Sequence, residues 1–272
     1  MKAILLSVMC LLAPLFASAS IPLNEKKALV NLYYATDGEH WNIPWDLNSP
    51  VEHWHGVTIS DDHVVALNLP SNNLKGELPA SISELRYLKV LNLASNRLGG
   101  TIPRSIGTLR DLTSLELFLN EFVGFLPVEI GNLDQLEFLS LYHNKFKGNI
   151  PSTFVNLTKL EILQLGRNRF SGYFPKQLCN LKNLEHLSLH DNEFEGDLPV
   201  ELGELSNLEE LIITNNKFTG YLPTSIGDLN KLNIFMVNKN NFNKEYYSFQ
   251  DHMPKGYLSL ETEPATVITD HN

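Results

Sequence analysis

Hydrophobic residues in this chain fall into a template that returns every 24 residues. One copy, residues 136–151 with the sequence LEFLSLYHNKFKGNIP, shows its logic. Leu139 and Leu141 flank Ser140, so the two leucines share one face of a short strand and the serine takes the other. Leu133 and Leu136, three apart, add apolar side chains on the approach. Asn144 stands where the chain must turn, and its amide offers both donor and acceptor to backbone groups that no ladder reaches. Phe146 points back into the core. Gly148 permits a conformation or close approach that a side chain would block, and Pro151 ends any ladder. The asparagine recurs from Asn72 to Asn240, the glycine from Gly76 to Gly220 and the proline from Pro79 to Pro223, with no gap in register. Such self-similarity predicts a solenoid, in which stacked strands form a parallel sheet and the rest of each coil lies outside it. Eight strands at a spacing of ~4.8 Å give a sheet ~35 Å long.

The pattern LxxLxxLxLxxNxFxGxIP resembles leucine-rich repeats of the plant-specific 24-residue type, found in receptor-kinase ectodomains and in polygalacturonase-inhibiting proteins. The preceding ALVNLYYATDGEHWNIPW and HWHGVT resemble the N-terminal cap of the same class. Plant caps carry paired cysteines. Here Ile59 stands at one such place, as in bacterial or protist relatives. The resemblance implies an α/β repeat fold, a curved right-handed leucine-rich repeat solenoid with a parallel β-sheet on its concave face and a cap at each end.

The chain divides accordingly into a leader (1–19), an N-terminal cap (20–63), eight repeats (64–243) and a C-terminal cap with a polar tail (244–272). Residues 24–37 predict a short helix with Asn24 as its cap, Glu25 complementing the dipole, Gly38 as the stop, and Ala28, Leu29, Leu32 and Tyr33 as an apolar stripe. Trp41, Trp45 and Trp54 follow, to cover the exposed end of the solenoid. Residues 56–60 and 63–69 predict two strands. In the eighth repeat the template decays: Phe235 and Val237 replace leucines, and Lys244 and Tyr247 replace the glycine and proline.

Composition narrows the function. There are 21 basic against 31 acidic residues, which argues against a nucleic-acid surface. Lys2, the apolar run 4–16 and Ala17-Ser18-Ala19 predict a secretory leader cleaved after Ala19. No later stretch reads as a membrane helix. The expected location is secreted, periplasmic or at the cell surface. Removing the leader removes Cys10 and leaves Cys179, in the slot held by Gly107, Gly131, Gly203 and Gly227 in other copies. That slot predicts a small, partly buried thiol rather than a nucleophile.

Side chains opposite the leucines form the open face. There Phe118 lies beside Tyr142, Phe138 shares its strand, and Leu119, His143 and Arg167 border them. Aromatics with an arginine are the chemistry of binding hot spots, and the leucines already supply the core. The alternative is that the rings merely stack along the sheet. His186 and His190 share the face with Ser188, and Glu210 is lateral to His186. A hydrolase built on Ser188 and His186, or a metal held by His186, His190 and Glu210, is poorly served. Side chains two apart on a strand run parallel and meet poorly, the histidines lie about 13 Å apart, and an open trough lacks an oxyanion hole. No catalytic residue, metal ligand or cofactor is assigned. Glu137, Glu161, Glu185 and Glu209 form an acidic ladder, read either as a cationic partner's site or as a solvated edge. Asn156-Leu157-Thr158 is a glycosylation sequon.

The expectation is a non-enzymatic module that binds a protein or peptide on its concave face. The alternatives are a glycan-binding protein or secreted-hydrolase inhibitor like the polygalacturonase inhibitors, or a surface adhesion protein. A membrane helix and kinase domain follow the repeats in receptor relatives and are not in this sequence, so no kinase activity is expected.

Overall fold

The computed structural model describes residues 21–243. The expected leader (1–19) and C-terminal cap (244–272) lie outside the described residues. A nine-stranded sheet runs the length of the molecule. Val57–Ser60 pairs antiparallel with His63–Asn68, and the strands Val90–Asn92, Ser114–Glu116, Phe138–Ser140, Ile162–Gln164, His186–Ser188, Glu210–Ile212 and Ile234–Met236 follow in parallel. Each parallel pair matches a residue to the one 24 further on, as in Ile162 with His186. The leucines at the strand centres, Leu91, Leu115, Leu139, Leu163, Leu187 and Leu211, are fully buried.

Each asparagine ties two coils together. The Asn144 Nδ2 donates to the carbonyls of Leu117 in the previous coil (2.9 Å) and of Leu141 in its own (3.1 Å), while its Oδ1 accepts from Phe122 N (3.1 Å). Asn72 has no repeat before it, so its Oδ1 accepts from Ile43 N in the cap instead (2.7 Å). Each proline opens a 3-10 turn: the Pro151 carbonyl accepts from Phe154 N (3.1 Å) at the head of Ser152–Asn156.

The stretch after each asparagine does more than pass round the outside. Val123–Gly124, Lys145–Gly148, Arg169–Tyr173, Glu193–Asp197 and Lys217–Thr219 form a second parallel sheet. Its register joins residues 22 apart, as in Lys147 with Arg169. Under it the phenylalanines stack from Phe122 to Phe218 with centroids 6.0–6.3 Å apart. Alternation explains the sheet: in Lys145-Phe146-Lys147 the ring goes in and both lysines go out.

The cap corrects three expectations. Its helix, Leu23–Ala35, is preceded by Pro22, whose fixed φ suits a helix start. Asn24 therefore lies inside the helix, and its amide reaches Glu84 Oε2 (3.1 Å) rather than capping. Glu25 is no solvated dipole partner. It is 2% exposed, and its carboxylate accepts from Val64 N (2.8 Å) and contacts His63 Nδ1 (2.6 Å), which pins the helix to the first long strand. Gly38 is not the left-handed stop either, since Asp37 takes that conformation (φ 60°). Gly38 is required because a Cβ there would stand 2.3 Å from the Tyr33 ring. The tryptophans do cover the end: Trp45 stacks on Trp54 (4.8 Å) and meets Trp41 edge-on (4.9 Å). Their indole N–H groups donate to the carbonyls of Thr36, His55 and Asp46.

Candidate functional site

On the open face of the main sheet the outward residues converge on Tyr142. His143 meets its ring edge-on (5.8 Å), His190 approaches from two coils away (5.7 Å), and the Arg167 guanidinium lies over it (5.8 Å). Arg167 is itself held by Asp191, Nε to Oδ2 at 3.3 Å, and Asp191 accepts from Asn215 Nδ2 (2.6 Å). His190 spans that distance because Gly166 lies between: a Cβ on Gly166 would be 2.5 Å from the imidazole Cε1. The glycine was visible in the outward column, and it is the signal that sequence reasoning did not use.

Two corrections follow. The aromatic patch is less exposed than expected, since Phe118, Phe138 and Tyr142 are all only half-exposed. Ser188 also does meet a histidine two residues away: its hydroxyl lies 2.7 Å from His190 Nδ1. A strand this short curves enough for adjacent outward side chains to touch, and Ser188 is buried, so it needs a partner. Burial lowers the His190 pKa below the usual imidazole value, against the upward pull of Asp191. His186 stands apart from this cluster, with Nδ1 3.9 Å from Glu210 Oε2. Among the described residues no three His, Cys, Asp or Glu side chains gather as a metal-binding group.

Leu119, His143 and Arg167 share a backbone constraint. Each sits in the left-handed region, at φ 54°, 54° and 53°, as do Ser95, Asp191, Asn215 and Lys239 in the same column. Leu119 is 40% exposed there. The acidic ladder is structural in its backbone: the Glu137 carbonyl accepts from both Glu161 N (2.9 Å) and Ile162 N (3.1 Å), and each later glutamate repeats the arrangement. Cys179 is fully buried, which pushes its thiol pKa up to about 12. Asn156 ends a 3-10 turn with its side chain exposed.

The most exposed aromatics lie elsewhere. Phe125 and Tyr173, 65% and 75% exposed, project beside the second sheet, one column apart from anything singled out in the sequence. Each borders a groove, of about 460 Å³ at Phe125 and about 540 Å³ at Tyr173.

A solenoid of this period, with an asparagine ladder and a second sheet beneath the turn, defines a leucine-rich repeat protein. The family described as a leucine-rich repeat region matches residues 117–248, and the single Leucine Rich Repeat matches residues 87–109. The chain is a leucine-rich repeat protein of the plant-like type. It is similar to the ectodomain of the Arabidopsis receptor kinase HAESA solved with an N-terminally extended IDA peptide hormone, at 27% identity and a TM-score of 0.76 over 87% of this chain and 41% of that one. It is similar to PEPR1 in the PEPR1–AtPEP1 structure, at 30% identity and a TM-score of 0.74 over 80% and 32%. A leucine-rich repeat protein of Leptospira interrogans matches at 35% identity and a TM-score of 0.58 over 65% and 45%. The chain thus spans less than half the length of each. A comparison with curated proteins found no match.

Proposed function

We propose that this chain is a non-enzymatic, exported recognition module that holds an extended peptide or protein segment across the main sheet. The observation that carries this reading is the convergence of His143, Arg167 and His190 on Tyr142. These groups lie outside the leucine core, and three of them are polar or charged beside an aromatic ring, which suits a segment with both apolar and acidic side chains. Phe118, Leu119 and Phe138 extend the apolar part of the surface, and His186 with Glu210 its polar end. The similarity to ectodomains solved with peptide ligands supports the class of partner. Selection from a random-peptide library tests it. Sequences enriched on the wild-type protein should bind Tyr142→Ala/Arg167→Ala at least tenfold more weakly. Equal enrichment on both proteins would sink the reading.

A further inference from the structure

We propose that the face beside the second sheet binds an extended, neutral β-1,4-linked polysaccharide, independently of the main sheet. The position five residues after each asparagine alternates in character over five coils: Phe125, Asn149, Tyr173, Asp197, Tyr221. Aromatic and polar side chains thus take turns along one straight row. Phe125 and Tyr173 are the exposed rings, and each stands at the rim of its own groove.

Glycines set how the rings lie. A Cβ on Gly196 would be 2.5 and 2.8 Å from Tyr173 Cδ1 and Cε1, so one ring edge rests on the next coil and the rest of the ring meets solvent. Gly148 seats Phe125 in the same way. No part of the core needs either ring, and exposed aromatics in register point to a binding surface.

The row selects among ligands. Successive rings are two coils apart, and the buried phenylalanines take each coil in steps of 6.0–6.3 Å, so the rings recur on the scale of a disaccharide. In a β-1,4-linked ribbon every second sugar shows the same apolar face, which suits a ring at every second coil. The intervening Asn149 and Asp197 would take hydroxyls. Asp197 Oδ1 already accepts from Thr219 Oγ1 (2.8 Å), which shows the carboxylate seeking donors. A proline-rich helix repeats every ~9 Å and also docks on aromatics, but its prolines have no N–H to give a carboxylate. Charge excludes a polyanion: Lys145 pairs with Glu121 (3.0 Å) and Lys217 with Glu193 (2.9 Å), leaving mixed signs and no cationic track.

Sedimentation with amorphous cellulose tests the proposal, with insoluble starch and an immobilised polyproline peptide as controls. The wild-type protein should be retained by cellulose and by neither control. Tyr173→Ala should lower the bound-to-free ratio at least tenfold and Phe125→Ala severalfold, with melting temperatures unchanged because both rings are exposed. Tyr142→Ala should bind cellulose as the wild type does. Wild-type protein that stays in solution with cellulose overturns the proposal. So does a Tyr173→Ala protein that binds undiminished, or retention by starch or by polyproline in place of cellulose.

Discussion

A leucine at φ 54° is a costly choice. The left-handed region disfavours an ordinary side chain by about 1–2 kcal/mol, and asparagine tolerates it best after glycine. Asn215 occupies the same position three or more coils on, at the same φ. Leu119→Asn should therefore raise the stability by about 0.5–1 kcal/mol, read as a higher urea midpoint at constant slope. A lower midpoint would mean that the exposed leucine makes packing contacts worth more than the strain. His190 gives a pH effect of definite sign. Its folded pKa is depressed, so the neutral ring is the one the fold accepts. Its contribution is present above the ordinary imidazole pKa and is lost as pH falls through the folded value. Between neutral and mildly acidic pH the wild-type protein should lose more stability than His190→Gln, by chemical denaturation at each pH; parallel losses would contradict the burial argument. Cys179 follows the opposite rule, since its folded pKa is raised to about 12. Alkylation of Cys179 in native protein, followed by peptide mapping, should stay slow at pH 8 and become rapid only in denaturant.

Within a coil the asparagine is the member that cannot be replaced. Asn144→Ala strands the Leu117 carbonyl, the Leu141 carbonyl and the Phe122 N–H, all buried. It should cost about 2–4 kcal/mol, and hydrogen exchange should rise first at Phe122. In the cap, Glu25→Ala removes the acceptor for Val64 N and the partner of His63. Exchange in Leu23–Ala35 should then quicken ahead of the repeats. The template residues were legible in the sequence because every copy gives them the same task. The second sheet was less so: its strands are short and close on glycines with positive φ, such as Gly172 at 88°, so the alternation runs out almost as it begins. The Tyr142 cluster was half legible. Its members stood in the outward columns, but the reach of His190 depends on what the intervening coil lacks, and only coordinates show Gly166 making that room. In the cap, local signals misled because tertiary contacts outbid them, as with Glu25, which serves a strand 38 residues on.

At the scale of the molecule, a linear array offers more than one long face, and the two rows of aromatics lie on different ones. Binding at one should leave the other unaffected, because each coil contacts mainly its neighbours. The two sheets also keep different counts. The main sheet advances 24 residues per coil and the second only 22. Coils stacked squarely along one ladder are thus sheared along the other, and a stack square on one side and sheared on the other must turn as it grows. The molecule is a screw whose pitch is set by the difference between two integers. Any partner long enough to touch several coils has to follow that thread.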